Sequence, residues 1–362
     1  MGEQWSKERA WAWYTARPWI RGCNFMSSDC ANRIDQWQAY GFEERFETAK
    51  RELALAAETG FNSIRIIPEF FVWEQEHDGF MERFERYIAL AHENGISCMI
   101  VLGNDCMPPK EEFDKRMHLG EQHVDWGFHG GRRVSQHGTF GGAGYSVLDT
   151  REGADRFCAF ARELVERYKN DERVLMWDVF NEPGNSNRKS LSLPVLERLF
   201  ALIRGIDPIQ PLTVGVWSET KHPERLPEIE RFGLEHSDIV SFHCYSSYAD
   251  NVEILHRLKA YGRPIVNTEW LARCIGNTVE EIFPLFFAMG VGCYNWGFVA
   301  GKYQTYEPWE GLWQDNYAKD PAHNGWDFDK WFHDLYRPSL HPYNPNEIAL
   351  IKRFCTLADE KH

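Results

Sequence analysis

The chain has 362 residues, with 40 basic against 54 acidic side chains and a formal charge of -14. That balance, with no block of Lys or Arg, lacks the basic stripe that releases counterions from nucleic acid, and it argues equally against an anionic membrane surface. Hydrophobic residues at 43% and charged residues at 26%, spread along the whole length, make a globular chain rather than a disordered one.

The first residues carry no basic segment followed by an apolar run, and no stretch of about 18 apolar residues occurs, so neither a leader nor a membrane span is expected. Nine cysteines are an odd number. Cys23, Cys98, Cys244 and Cys293 fall in strand-like runs where free thiols act as small buried hydrophobes, and a reducing cytoplasm is the expected location.

In chain order, eight short apolar runs read as strands: 19–25, 61–67, 96–102, 174–180, 212–216, 239–245, 264–270 and 291–298. Helical periodicity lies between them, over 43–59, 81–94 and 152–169, with Gly60 and Gly95 where helix C-caps belong. Eight strands alternating with helices predict an α/β fold, a closed (β/α)8 TIM barrel with its core over about 19–298 and a C-terminal helix over about 345–358. The whole of 1–362 reads as one catalytic domain. An open doubly wound sheet would carry a Gly-rich phosphate loop after its first strand, and Trp19 to Phe25 has none. The Gly-Gly-Ala-Gly run at 141–144 opens no helix and reads as flexible backbone.

Two segments exceed the repeat: 103–150 after the third strand and 300–345 after the eighth. Long insertions at the C-terminal ends of barrel strands are expected to be lids over the site. The second carries Tyr303, Tyr306, Trp309, Trp313, Trp326 and Trp331, which either fill a satellite core or present faces to sugar rings.

The chemistry concentrates at two strand ends. Val174 to Pro183 is an apolar run closing on Asn181-Glu182-Pro183, and Pro264 to Trp270 closes on Glu269. One such carboxylate is an ordinary strand end meeting solvent, whereas two, on the fourth and seventh strands, face each other across the barrel mouth. Glycoside cleavage needs such a pair, one to protonate the leaving oxygen and one to attack the anomeric carbon or activate water.

These residues resemble the retaining β-glycosidases of the large clan with (β/α)8 barrels, glycoside hydrolase family 5 in particular. The resemblance spans about 19–298 and implies Glu182 as acid/base and Glu269 as nucleophile. It further implies that Arg65 stands beside the nucleophile, that Asn181 holds the sugar 2-hydroxyl, and that Tyr245 donates to Glu269. His243 then lines the site near the acid/base, and Trp296 forms the floor under the sugar. A His is common in that family at the end of the third strand; here Asn104 or Asp105 stands nearest, which leaves that wall of the glycone subsite open.

The insertion behind it holds His118, His123, His129 and His137, whose spacing matches no tight zinc pattern. No metal or other cofactor is expected, since two carboxylates supply both protonation and nucleophile. Arg132 and Arg133 are candidates for sugar hydroxyls or a carboxylate-bearing sugar. The expected partner is a short β-linked oligosaccharide or glycoside, cleaved from one end by double displacement. An endo-acting cellulase, mannanase or xylanase is the alternative, and a sugar-binding barrel without catalysis the rival from another class. Sugar, linkage and oligomeric state leave no readable code.

Overall fold

The computed structural model describes residues 3–124, 129–131, 142–218 and 222–362. Eight parallel strands close into a barrel in chain order: β1 (Arg21–Asn24), β2 (Ser63–Ile66), β3 (Ser97–Asn104), β4 (Val174–Asn181), β5 (Leu212–Val216), β6 (Val240–His243), β7 (Ile265–Trp270) and β8 (Gly292–Asn295). The ring closes where β8 pairs with β1 through Arg21↔Cys293. Every predicted strand is present, but the runs for β1, β2, β6 and β8 overshoot, while β3 and β4 continue past their predicted ends to Asn104 and Asn181. Tyr245 and Trp296 lie beyond the last paired residues of β6 and β8, because apolar character continues into the loops that cover the barrel.

The three predicted helices are Phe42–Thr59, His77–Glu93 and Arg151–Tyr168. The first ends at Gly60, held at φ 95, where a side chain would be strained and a Cβ would sit 2.6 Å from that of Cys355 on the C-terminal helix. Thr150 caps the third by accepting the Gly153 N–H.

The barrel interior has two chemistries. Toward the N-terminal ends of the strands, Met99, Met176, Val266 and Tyr294 pack with Ala10 and Tyr14 of an N-terminal helix, Lys7–Thr15, which closes that mouth of the barrel. Toward the C-terminal ends the lining becomes polar and remains buried: Arg65, Asp178, Asn181, Ser241, His243 and Glu269. Strand registers shift near these ends, in β4–β5, β6–β7 and β7–β8. Such irregularities re-aim side chains, and His243 pairs opposite Glu269 through one of them.

Both insertions are folded where described. The first contains a helix, Lys110–Arg116, and is pinned by Arg188, whose buried guanidinium binds Asp105 at 2.7 Å, the Gly144 carbonyl at 2.6 Å and Asp149 at 2.6 Å. Gly144, expected in a flexible run, is instead a close-packing residue. Its N–H donates to the Ser186 carbonyl at 2.8 Å, and a Cβ would lie 2.3 Å from the Met107 carbonyl oxygen. In the second insertion Trp313 packs on Tyr317 and Phe328, and Trp331 stacks on Tyr343 at 4.8 Å, so these rings form a satellite core. The insertions meet: the Gly131 N–H donates to the Pro308 carbonyl at 2.9 Å, and a Cβ on Gly130 would come within 2.2 Å of the Glu307 carbonyl oxygen. The C-terminal helix runs over Pro345–Lys361. Among the described residues no helix is long and apolar enough to cross a membrane.

Candidate active site

Arg65, on β2, organises the polar end of the barrel. Its guanidinium spends five N–H bonds on four side chains: Asp178 through Nε at 3.0 Å and Nη2 at 2.8 Å, Asn24 at 2.7 Å, Glu269 at 2.8 Å and Asn181 at 2.5 Å. A planar fork with five donors can tie β1, β4 and β7 together in this way; an ammonium could not. Burial pushes the Asp178 carboxyl up, and Arg65 opposes that rise.

Glu269 is a buried carboxyl with both oxygens occupied, Oε1 by Arg65 and Oε2 by the Tyr245 hydroxyl at 2.7 Å. Burial pushes this carboxyl above its ordinary value; His243 and Arg65 pull it back, and the neighbouring Glu182 adds to the rise. The Tyr245 phenol is held protonated by burial and by the Glu269 charge, so it remains a donor. Trp309, from the second insertion, stands edge-on to Tyr245 with ring centroids 5.0 Å apart, which links that insertion to the carboxyl's donor.

Glu182 follows β4 in a left-handed backbone conformation, φ 44, that a non-glycine residue adopts only under constraint. Its N–H is held by the Gly215 carbonyl at 3.0 Å. Oε1 lies 2.7 Å from His243 Nδ1, and Oε2 accepts from the Asn185 amide and, at 3.0 Å, from the Cys106 thiol. His243 Nδ1 is also 3.3 Å from Glu269 Oε2, so one ring nitrogen lies between the two carboxyls. Gly215 makes room for that ring: a Cβ there would approach His243 Nε2 to 2.8 Å.

Among the described residues one group of three groups potential metal ligands, Glu182, His243 and Glu269, with ligand atoms all within 4.8 Å of one another. Arg65 already supplies a fixed positive charge there, and the oxygens are taken by protein donors, a donor set suited to a proton cycle more than to a cation.

Of the sequence-predicted residues, Arg65, Asn181, Glu182, His243, Tyr245 and Glu269 converge in one network. Asn104 joins it by accepting from Asn181 Nδ2 at 2.8 Å, whereas Asp105 turns away to Arg188, Ser192 and the Gly184 N–H. Trp296 is half-buried beside the network and packs against His129 of the first insertion, ring centroids 5.4 Å apart. The His118 ring meets the Lys115 and Glu121 carbonyls, while Arg132, Arg133 and His137 lie outside the described residues. Beside Asn104 and Cys106 opens a largely apolar cavity of about 260 Å³, lined also by Arg33, Glu69, Phe71 and Phe113.

The model of the family described as cellulase, glycosyl hydrolase family 5, matches residues 26–292. The chain belongs to glycosyl hydrolase family 5. Its members are glycosidases, and the chain is accordingly an O-glycosyl hydrolase. Among solved structures, this family 5 barrel is similar to a mannosidase from Rhizomucor miehei (12% identity, 95% of each chain covered, TM-score 0.57). It is also similar to the endo-1,4-β-D-mannanase of Thermotoga petrophila RKU-1 (16% identity, 94% of this chain and 100% of that one, TM-score 0.57). A third is the exo-β-1,4-mannosidase of Opitutaceae bacterium strain TAV5 (15% identity, 95% of this chain and 60% of that one, TM-score 0.58). Identities this low speak for the fold alone. No curated protein sequence matches the chain.

Four residues of this network escaped sequence reasoning: Asn24, Cys106, Asp178 and Asn185. Asp178 had a signal, since a carboxylate in the middle of an apolar strand demands a buried cation. Asn24, closing β1, had a weaker signal of the same kind. Cys106 and Asn185 lie in loops after β3 and β4 and had none.

Proposed function

We propose that this family 5 enzyme is a retaining β-glycosidase that releases sugars from one end of short β-linked oligosaccharides or glycosides, with Glu269 as nucleophile and Glu182 as acid/base. The observation that carries the reading is the carboxyl pair. One oxygen of Glu182 and one of Glu269 lie within 4.8 Å of each other, and His243 Nδ1 is 2.7 Å from Glu182 Oε1 and 3.3 Å from Glu269 Oε2, a close approach that favours direct attack by a carboxylate over the gap of about 6.5 to 9.5 Å that an inverting water requires.

The environments support this division of roles. Glu269 accepts from a guanidinium and a phenol, so of the pair it is the better anion. Glu182 has no guanidinium beside it; its contacts are the His243 ring, an amide and a thiol, so of the pair it is the one we assign to carry the proton in the first step. In the first step Glu269 attacks the anomeric carbon while the bond to the departing oxygen breaks and takes the Glu182 proton. In the second, Glu182 removes a proton from water, which attacks the same carbon and expels the Glu269 carboxylate. Forming the ester removes the Glu269 charge, which makes Glu182 more acidic and readies it to act as base.

End-on action is supported by the joined insertions, since the contacts of Gly131 with Pro308 and of His129 with Trp296 wall one side of the mouth. The names of the similar structures make β-D-mannosides the first glycone to test. The test is turnover of aryl β-glycosides with the product anomer followed by NMR, then mass mapping of the enzyme treated with the 2-deoxy-2-fluoro glycoside. A β-anomer appearing first and an adduct on Glu269 support the assignment. An α-anomer appearing first, or an adduct elsewhere, removes it. A ladder of internal fragments from an oligosaccharide would replace end-on action with endo action.

A further inference from the structure

None of the nine cysteines forms a disulfide, and eight of them are buried; the exception is Cys106, on the wall of the cavity beside the site. Its place is built. The Cys106 N–H donates to Asn104 Oδ1 at 3.1 Å, and the sulfur receives the amides of Asn185 at 3.4 Å and Asn181 at 3.5 Å. An amide nitrogen only donates, so both amides meet the sulfur as acceptor, and the S–H is directed to the remaining neighbour, Glu182 Oε2, at 3.0 Å.

We propose that Cys106 is a positioning residue for the acid/base, holding Glu182 Oε2 in both halves of the reaction. The inference rests on Glu182 having that role. An acid/base must alternate between carboxyl and carboxylate, and its partners must tolerate both. The Asn185 amide is a donor in either state and opposes a proton on Oε2. A thiol is a weak donor and a weak acceptor that rotates about one bond, so it can donate to the carboxylate and turn to receive the acid proton. Cys106 therefore keeps Oε2 aligned while the proton comes and goes, without the fixed charge that would trap it.

Three variants test this: Cys106→Ala, which removes the thiol, Cys106→Ser, which keeps a rotating donor and acceptor, and Glu182→Gln as reference. Each is assayed across pH on the 4-nitrophenyl and 2,4-dinitrophenyl glycosides of the preferred sugar. For Cys106→Ala, kcat/KM on the 4-nitrophenyl substrate falls about tenfold. The basic limb of its profile moves upward, because the carboxylate has lost a donor, while kcat/KM on the dinitrophenyl substrate, which needs little protonation, changes less. Cys106→Ser restores the limb and the leaving-group pattern. If Cys106→Ala does not fold, Cys106→Val fills the same space and gives the same contrast with Ser. Unmoved limbs and equal losses on both substrates, with Glu182→Gln still inactive on the 4-nitrophenyl substrate, overturn the positioning role. Full activity of Glu182→Gln on that substrate overturns the acid/base assignment on which it rests.

Discussion

Replacing Arg65 with Met in an Asp178→Asn background tests whether the buried guanidinium keeps the nucleophile ionised. The single change would strand two buried carboxylates, and breaking one such pair costs about 3 to 5 kcal/mol of stability. Neutralising Asp178 as well confines the effect to Glu269. Arg65 Nη1 lies 2.8 Å from Glu269 Oε1. Taking about 4 Å between charge centres and an effective dielectric near 20, the lost attraction is about 4 kcal/mol, or about three pKa units on a carboxyl that burial already pushes upward. A nucleophile must be ionised, so raising its pKa moves the acid limb of kcat/KM upward by two to three pH units and makes activity return as pH increases. The assay is kcat/KM against pH on a dinitrophenyl glycoside, whose departure needs little help from Glu182, with circular dichroism to verify folding. Asp178→Asn alone, with Arg65 in place, is the reference. An acid limb at the same pH in both proteins would refute the claim that Arg65 sets the ionisation of Glu269.

In the unaltered enzyme, the upward push on Glu269 places the acid limb above the ordinary Glu value of about 4.3, and a limb below that value would contradict the assigned burial effect. Gly215→Ala drives a methyl group toward His243 Nε2, displaces the ring between the two carboxyls, and lowers kcat at least tenfold with little change in melting temperature; full activity would place His243 outside the chemistry. Arg188→Met leaves Asp105 buried and uncompensated and should cost about 3 to 5 kcal/mol in denaturant unfolding, against a near-neutral result if the first insertion holds itself. Burial raises Asp334 to about 7 and Glu52 to about 8, both above their unfolded values, so the stability they contribute is complete below about pH 4 and lost as pH rises toward 8. Melting temperatures from pH 5 to 8.5 should therefore fall less steeply in Asp334→Asn and Glu52→Gln than in the parent; parallel curves would exclude these two groups as the cause.

The barrel was legible because its signals are local and repeated. Eight apolar runs punctuated by Gly60, Gly95 and polar turns require only nearest-neighbour information, and burial on both faces keeps them apolar throughout. The boundaries were less legible. Tyr245 and Trp296 continue the apolar pattern of β6 and β8 but lie past the last paired residues, where the strands give way to loops. The two glutamates stood out as charges ending apolar strands, and Arg65 followed from the family pattern. Asp178 was missed although it carried the same mark, because a charge within a strand reads as an interruption until its partner is seen. Gly144 was misread for a related reason: a glycine needed for close approach and one needed for freedom look alike in sequence.

The sequence by itself determined the fold class and the two strand-end carboxylates, since hydrophobic period and strand-end charge are properties of a few adjacent residues, while most of the polar cluster around them followed from the resemblance to family 5. Tertiary structure alone decided the separation of those carboxylates, the five-bond span of Arg65, the meeting of the insertions through Gly131 and Pro308, and the place of Cys106 against Glu182. Each depends on register shifts and loop paths that bring residues 76 to more than 200 positions apart into contact. Those paths are set by the packing of the whole barrel, which no local stretch of sequence encodes.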